Sequence, residues 1–155
     1  MKIGIVLYSQ TGNTLGVAEK LMSALTAKGH TVDLLKLQTV GEAQPGKPTQ
    51  FESLPDITPY DAYVFAAPVQ AFSLCLPMKD YLKTLPALDD KKAACFVTKH
   101  LKSPILGGNS AIKAMRKGLE SKGATVGENA IISWKDETLR EAQIKAAIQA
   151  LSHAF

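Results

Sequence analysis

The apolar run Ile3-Gly4-Ile5-Val6-Leu7 passes almost directly into Ser9-Gln10-Thr11-Gly12-Asn13-Thr14 and then into a helical pattern. This succession constrains the fold more than any other stretch. A short apolar run of this kind reads as a buried strand, and the turn after it delivers hydroxyls and a glycine to the start of a helix. The first helical N–H groups have no intrahelical partner, and the helix dipole adds partial positive charge there, so the turn is a ready anion site. Ser9, Thr11 and Thr14 can add donors, and Gly12 lets the backbone close around a ligand. No Lys or Arg falls between Lys2 and Lys20, so a phosphate here is held by neutral donors, unlike one in a Walker A loop.

The remainder of the chain alternates strand and helix patterns. Lys2–Tyr8 reads as the first strand and Asn13–Lys28 as a helix with Leu15, Ala18, Met22 and Leu25 on one face, stopped by Gly29. Thr31–Leu37 is a second strand, whose charged Asp33 and Lys36 suit a sheet edge. Ala62–Ala67 is apolar throughout, as a central parallel strand should be. Pro77–Leu85 is a short helix with proline at its start, Ala93–Thr98 a fourth strand, and Asn109–Ser121 a helix closed by Gly123. A fifth strand lies within Thr125–Trp134, and Asp136 caps a last helix bearing Leu139, Ile144, Ala147, Ile148 and Leu151. The alternation predicts a doubly wound α/β sheet. One crossover helix is missing. Gln38–Tyr60 holds Pro45, Pro48, Pro55 and Pro59, and is expected to be mostly irregular with one short helical turn.

At 155 residues the whole chain, 1–155, is expected to form one domain. The opening apolar run is too short for a signal peptide, and no stretch approaches a membrane span, so a cytoplasmic protein without membrane contact is expected. Cys75 and Cys95 lie in apolar surroundings at a spacing that matches no metal motif, and read as buried free thiols. The net charge of +4 is local: Asp89–Lys122 carries eight basic residues against three acidic ones. Such a stretch is either a solvated helix face or an attractor of an anionic partner. No aromatic residues interleave it, which argues against nucleic acid.

The run I5-V6-L7-Y8-S9-Q10-T11-G12-N13-T14, with Ala18 and Leu21 after it, resembles the phosphate loop of flavodoxins, although Leu7 stands where an aromatic residue is commoner. Y60-D61-A62-Y63-V64-F65-A66-A67-P68-V69 is similar to their third strand and second cofactor loop. G107-G108-N109-S110-A111-I112, with K122-G123-A124, resembles their fourth helix region. The resemblance implies a flavodoxin-like, five-stranded parallel sheet of order 2-1-3-4-5 in a three-layer sandwich, with FMN at the switch point beside the first strand. It assigns cofactor binding to Ser9, Gln10, Thr11, Gly12, Asn13 and Thr14, to Pro68, Val69, Gln70, Ala71 and Phe72, and to Thr98, Lys99, His100 and Gly107. The first group would hold the phosphate, and the other two would flank the flavin ring.

Three departures bear on function. The loop P68-V69-Q70-A71-F72-S73-L74 lacks glycine, so a peptide flip toward the reduced flavin is disfavoured and a weak one-electron state is expected. Neither ring-flanking loop has a tryptophan, and Trp134, after the fifth strand, reads as a packing residue. Lys99, His100 and Lys102 make the third loop basic where flavodoxins are usually acidic. The resemblance implies an electron carrier between a reductase and a redox partner protein, with no acid–base catalytic residue and no metal. The alternative is an FMN-dependent NAD(P)H oxidoreductase acting on quinones or flavin. The basic stretch leaves an acidic partner open, and a monomer or weak dimer is expected.

Overall fold

A computed structural model describes residues 1–100 and 106–155. Its sheet contains β1 (Lys2–Leu7), β2 (Thr31–Lys36), β5 (Ala62–Gln70), β7 (Lys92–Lys99) and β8 (Thr125–Ser133) in the parallel order β2-β1-β5-β7-β8. This is the expected order, with the charged second strand at an edge. Alternate side chains of the central strands feed two cores. Ile3, Ile5, Leu7, Val64, Ala66 and Phe96 pack under helices α1 (Asn13–Ala27) and α4 (Glu137–Ser152). Val6, Phe65, Cys95 and Val97 pack under α2 (Leu76–Thr84) and α3 (Gly108–Ser121). Burial on both faces explains why these strands read as continuous apolar runs. Asp136 caps α4 as expected, its Oδ1 accepting from the Leu139 N–H at 2.9 Å.

The connection after β2 differs in kind from the expectation. It contains no helical turn. Its regular part is a small antiparallel pair of β3 (Gln38–Thr39) and β4 (Phe51–Ser53). The pair is tied to α2 by Asp80, whose Oδ2 accepts from both the Thr49 N–H (3.0 Å) and its hydroxyl. Aromatic side chains then cover the sheet face that a crossover helix would have covered. Tyr60 lies against Gly4 of β1, where a Cβ would meet its ring carbon at 3.2 Å and Leu35 Cδ1 at 3.0 Å. Its hydroxyl donates to Asp33 Oδ2 at 2.9 Å, and the Lys2 ammonium sits 5.0 Å from the ring centre. Tyr63 and Phe51 continue the cover toward α2, Phe51 meeting Tyr81 edge-on at 6.2 Å. Tyr60→Ala should therefore cost about 3–5 kcal/mol in urea unfolding, as for other large buried aromatics, and Tyr60→Phe about 1 kcal/mol for the lost hydrogen bond.

Burial also governs the titration behaviour of the core. Cys75 and Cys95 are buried free thiols whose pKa values are pushed up to about 12 by desolvation. Desolvation likewise raises Tyr60 and Tyr81 to about 12, and the Asp33 carboxylate adds to the effect at Tyr60. These groups stay protonated in the folded chain while their unfolded counterparts ionise from pH 9 to 10 upward. The folded state then binds more protons than the unfolded state, so stability falls as pH rises. Urea unfolding should show stability level with respect to these groups up to about pH 9 and declining toward about pH 12. Both thiols should resist a thiol reagent at about pH 8 until denaturant is added.

Candidate functional site at the carboxyl edge of the sheet

The carboxyl ends of β1, β5 and β7 converge with the chain after β8 on an open cleft of about 240 Å³. Gln10, Thr11 and Asn13 line one side, Pro68, Val69 and Gln70 another, and Thr98, Lys99, His100 and Trp134 the rest. The buried polar residues cluster here. Among the described residues these are Thr14, Thr98, Lys99, Ser133 and Ser152, and all but Ser152 lie at this edge. This concentration of buried polar residues marks the edge as a candidate site.

The first loop is organised by Ser9. Its Oγ accepts from the N–H groups of Gly12 (3.2 Å) and Leu15 (3.3 Å), bending the chain into α1. Gly12 sits at the N-cap with φ +93°, a conformation that favours glycine. The intrahelical ladder starts only at Gly16, which donates to the Gly12 carbonyl at 2.9 Å. The N–H groups of Gln10, Thr11, Asn13 and Thr14 are left with no partner among the described residues. Unpaired amides at the start of a helix are the donors that an anion site uses. The hydroxyls divide differently from expectation. Thr14 Oγ1 is buried and bonded to Thr98 Oγ1 at 2.8 Å, so it joins α1 to the end of β7 beneath the cleft. Ser9 retains its proton for donation, and Thr11 is exposed.

The second loop is a hairpin that periodicity did not reveal. β5 runs on through Pro68 to Gln70 and turns back into β6 (Ser73–Leu74), pairing Val69 with Leu74 and Gln70 with Ser73. Both turn residues are left-handed, Ala71 at φ 49° and Phe72 at φ 60°. That is the φ signature of a type I′ turn, usually made by Asn-Gly. Phe72 is 62% exposed at the tip and lies outside the cleft lining, as does Ala71. Gln70 instead reaches over the cleft, its Nε2 donating to Gln10 Oε1 at 2.6 Å.

In the third loop, Lys99 is buried, and desolvation holds its ammonium below the ordinary lysine range. His100 is exposed and lines the cleft. Lys102 lies outside the described residues. Gly107 does not line the cleft but supports the neighbouring loop. At φ +102°, a Cβ on it would stand 2.8 Å from Phe72 Cα and 2.7 Å from Val69 Cγ1. The residue missed as a site component is Trp134. It packs against the α1/α4 core, as expected, yet also lines the cleft. Its backbone N–H donates to the Lys99 carbonyl at 2.8 Å, and Arg140 stacks 5.3 Å from its ring centre. Its place at the carboxyl end of a parallel strand was the available signal, since ligands of open α/β sheets bind there.

No protein-family model matches the sequence, and no curated protein matches it. Similarity appears in three dimensions. Flavodoxin 2 from Bacillus cereus superposes with a TM-score of 0.70 at 20% identity, over 100% of both chains. The fold is that of the flavodoxins. A flavodoxin, WrbA-like protein from Agrobacterium tumefaciens matches this flavodoxin-like chain at TM-score 0.69 and 12% identity, over 99% of this chain and 96% of its own. A flavoprotein from Lactobacillus acidophilus NCFM, solved in complex with FMN, matches at TM-score 0.66 and 16% identity, over 94% of this chain and 97% of its own.

Two substitutions test the loop geometry. Gly107→Ala forces a side chain into a left-handed position against the Phe72 backbone, and should lower stability by more than the ~1–2 kcal/mol of the backbone strain alone. The double variant Ala71→Asn, Phe72→Gly supplies the residues a type I′ turn favours, and should raise the melting temperature by a few degrees.

Proposed function

We propose that this chain binds FMN at the carboxyl-edge cleft and carries electrons between a reductase and a protein acceptor. The observation that supports this most is the set of unpartnered amides at Gln10, Thr11 and Asn13, three residues that line a cleft formed by adjacent strand ends of a flavodoxin-like sheet. The donor set suits a phosphate monoester: backbone N–H groups, the Ser9 and Thr11 hydroxyls, and the dipole of a 15-residue helix. The cleft beside it suits a flat ring, with Pro68 and Val69 on one side and Trp134 and His100 on another. The flavoprotein from Lactobacillus acidophilus, of the same fold, is solved with FMN.

FMN, when bound, supplies the redox chemistry, and the protein tunes it by contact and charge. The chain's own contributions follow from its geometry. The Thr14–Thr98 bond fixes the phosphate end relative to the ring end. Gln70 and Gln10 join the second loop to the first across the cleft lining, Nε2 of Gln70 donating to Oε1 of Gln10. The buried Lys99 ammonium supports negative charge nearby and favours the reduced, anionic cofactor. Lys99→Met should lower the midpoint potential of the bound cofactor while the phosphate anchor still holds it, as read by a spectroelectrochemical titration. Saturable uptake of FMN with quenching of its fluorescence is expected, and a chain that takes up none refutes the proposal.

A second reading is an FMN-dependent NAD(P)H oxidoreductase acting on quinones or free flavin. The likeness to the WrbA-like protein and the cationic Lys99 and His100 beside the cleft favour it. The two readings separate in one anaerobic mixture of the FMN-loaded protein with NADH or NADPH. A carrier keeps its visible flavin absorbance without a reductase. Fast bleaching selects the enzyme.

A further inference from the structure

Two lysines of the basic stretch, Lys117 and Lys122, meet Lys79 and Lys83 at a second concavity. Helices α2 and α3 leave between them a groove of about 540 Å³. Its floor is apolar, made by Leu74, Leu82 and Ala114, and Lys79, Lys83, Lys117 and Lys122 stand around it. No carboxylate lines it. The acidic groups nearest in sequence are engaged: Asp80 holds the Thr49 backbone and lies 3.8 Å from Lys83, and Glu120 pairs with Arg116 at 3.5 Å. Lys79 donates to Ser73 at 2.8 Å and Lys122 to the Lys83 carbonyl at 3.2 Å, which fixes two of the cations in place. Lys117 is exposed, and the Lys83 side chain is 79% exposed.

The groove adjoins the cleft through the second loop. Leu74 of its floor is two residues from Phe72, and Phe72 abuts Gly107, the residue after Leu106. Phe72 and Leu106 are large apolar side chains left exposed, at 62% and 44%. Four lysines around an apolar floor, one of them beside Asp80, complement a surface of opposite sign with an apolar centre. The lining pairs four cations with apolar Leu74, Leu82 and Ala114, a combination that suits a partner carrying both carboxylates and an apolar side chain.

We propose that the α2/α3 groove docks an acidic protein partner, which seats one apolar side chain on Leu74, Leu82 and Ala114 while its carboxylates meet the four lysines. That the partner exchanges electrons rests on the function proposed above. The docking itself does not, and the two are measured separately.

The test is an NMR titration of the isotopically labelled full chain, supplied with FMN, with the peptide acetyl-Glu-Asp-Glu-Leu-Glu-Asp-Glu-amide. Saturable amide shifts confined to the groove are expected. Lys83→Glu, Lys117→Glu in one chain should weaken binding about tenfold or more, from two charge pairs turned repulsive. Lys20→Glu, Lys28→Glu on α1 changes the net charge equally and should leave the affinity unchanged within about twofold. Replacing the peptide's leucine by serine should weaken binding several-fold. Shifts spread over all basic surfaces, equal loss in both double variants, or no saturation overturns the proposal. So does tighter occupation of the groove by ADP or by phosphatidylglycerol vesicles, which would make the occupant a phosphate. FMN uptake by the same samples, followed by fluorescence, should be the same in both double variants and the unaltered chain. Failure of uptake with groove binding intact would refute the cofactor reading and leave the docking site standing.

Discussion

Strands covered on both faces can present polar groups only at their ends, and the arrangement of this molecule follows from that constraint. β1, β5 and β7 spend their side chains on two apolar cores, so the backbone direction alone decides where chemistry is possible. Because the strands are parallel, their carboxyl ends meet at one edge, and the turn from β1 into α1 brings unpaired amides there. The buried hydroxyl pair of Thr14 and Thr98 secures this junction, bridging 84 residues of sequence. Inside a low-dielectric end of the core such a bond is strong, and breaking it would strand two buried hydroxyls. The first loop and the carboxyl end of β7 are therefore one unit.

The loops above that unit are less relaxed. Ala71 and Phe72 both hold left-handed backbone at an exposed tip, where asparagine and glycine would serve more cheaply. Gly107, coming from the far side, packs against that tip and is shaped to do so. The close approach of Gly107 to Val69 and Phe72 backs the hairpin tip, where an exposed phenylalanine holds a strained position at the rim of the candidate site.

The fold was readable because its signals are strong ones. Buried parallel strands give uninterrupted apolar runs, Asp136 and Gly123 punctuate helices, and the prolines between residues 38 and 60 rule out a crossover helix. The phosphate-type loop was readable because strand, hydroxyls, glycine and helix follow one another within a few residues. What escaped has a common cause. The hairpin at residues 69–74 has no turn signature, since Ala-Phe is a poor type I′ pair that tertiary contact imposes. Trp134 has an ordinary strand-end sequence, and only the convergence of four strand ends makes it a cleft residue. The second role of Thr14, as a tie rather than a ligand donor, depends on a partner distant in sequence. Local pattern carries local structure; contacts made across the sheet have no local mark.

The replacement of a crossover helix by β3, β4 and a set of tyrosines has a consequence for how the molecule opens. A helix would have supplied a continuous ladder of backbone bonds, whereas this connection has the short β3–β4 pairing, Thr49–Asp80, Tyr60–Asp33 and ring packing. Few protected amides and many solvent-facing ones place such a segment at the low end of local stability. By that measure the segment between β2 and β5 is where native-state opening is expected to begin, ahead of α1, β1 and the Thr14–Thr98 tie. The chain separates an excursion-prone flank from a rigid ligand edge within one sheet, so that fluctuation and retention fall to different parts of the fold.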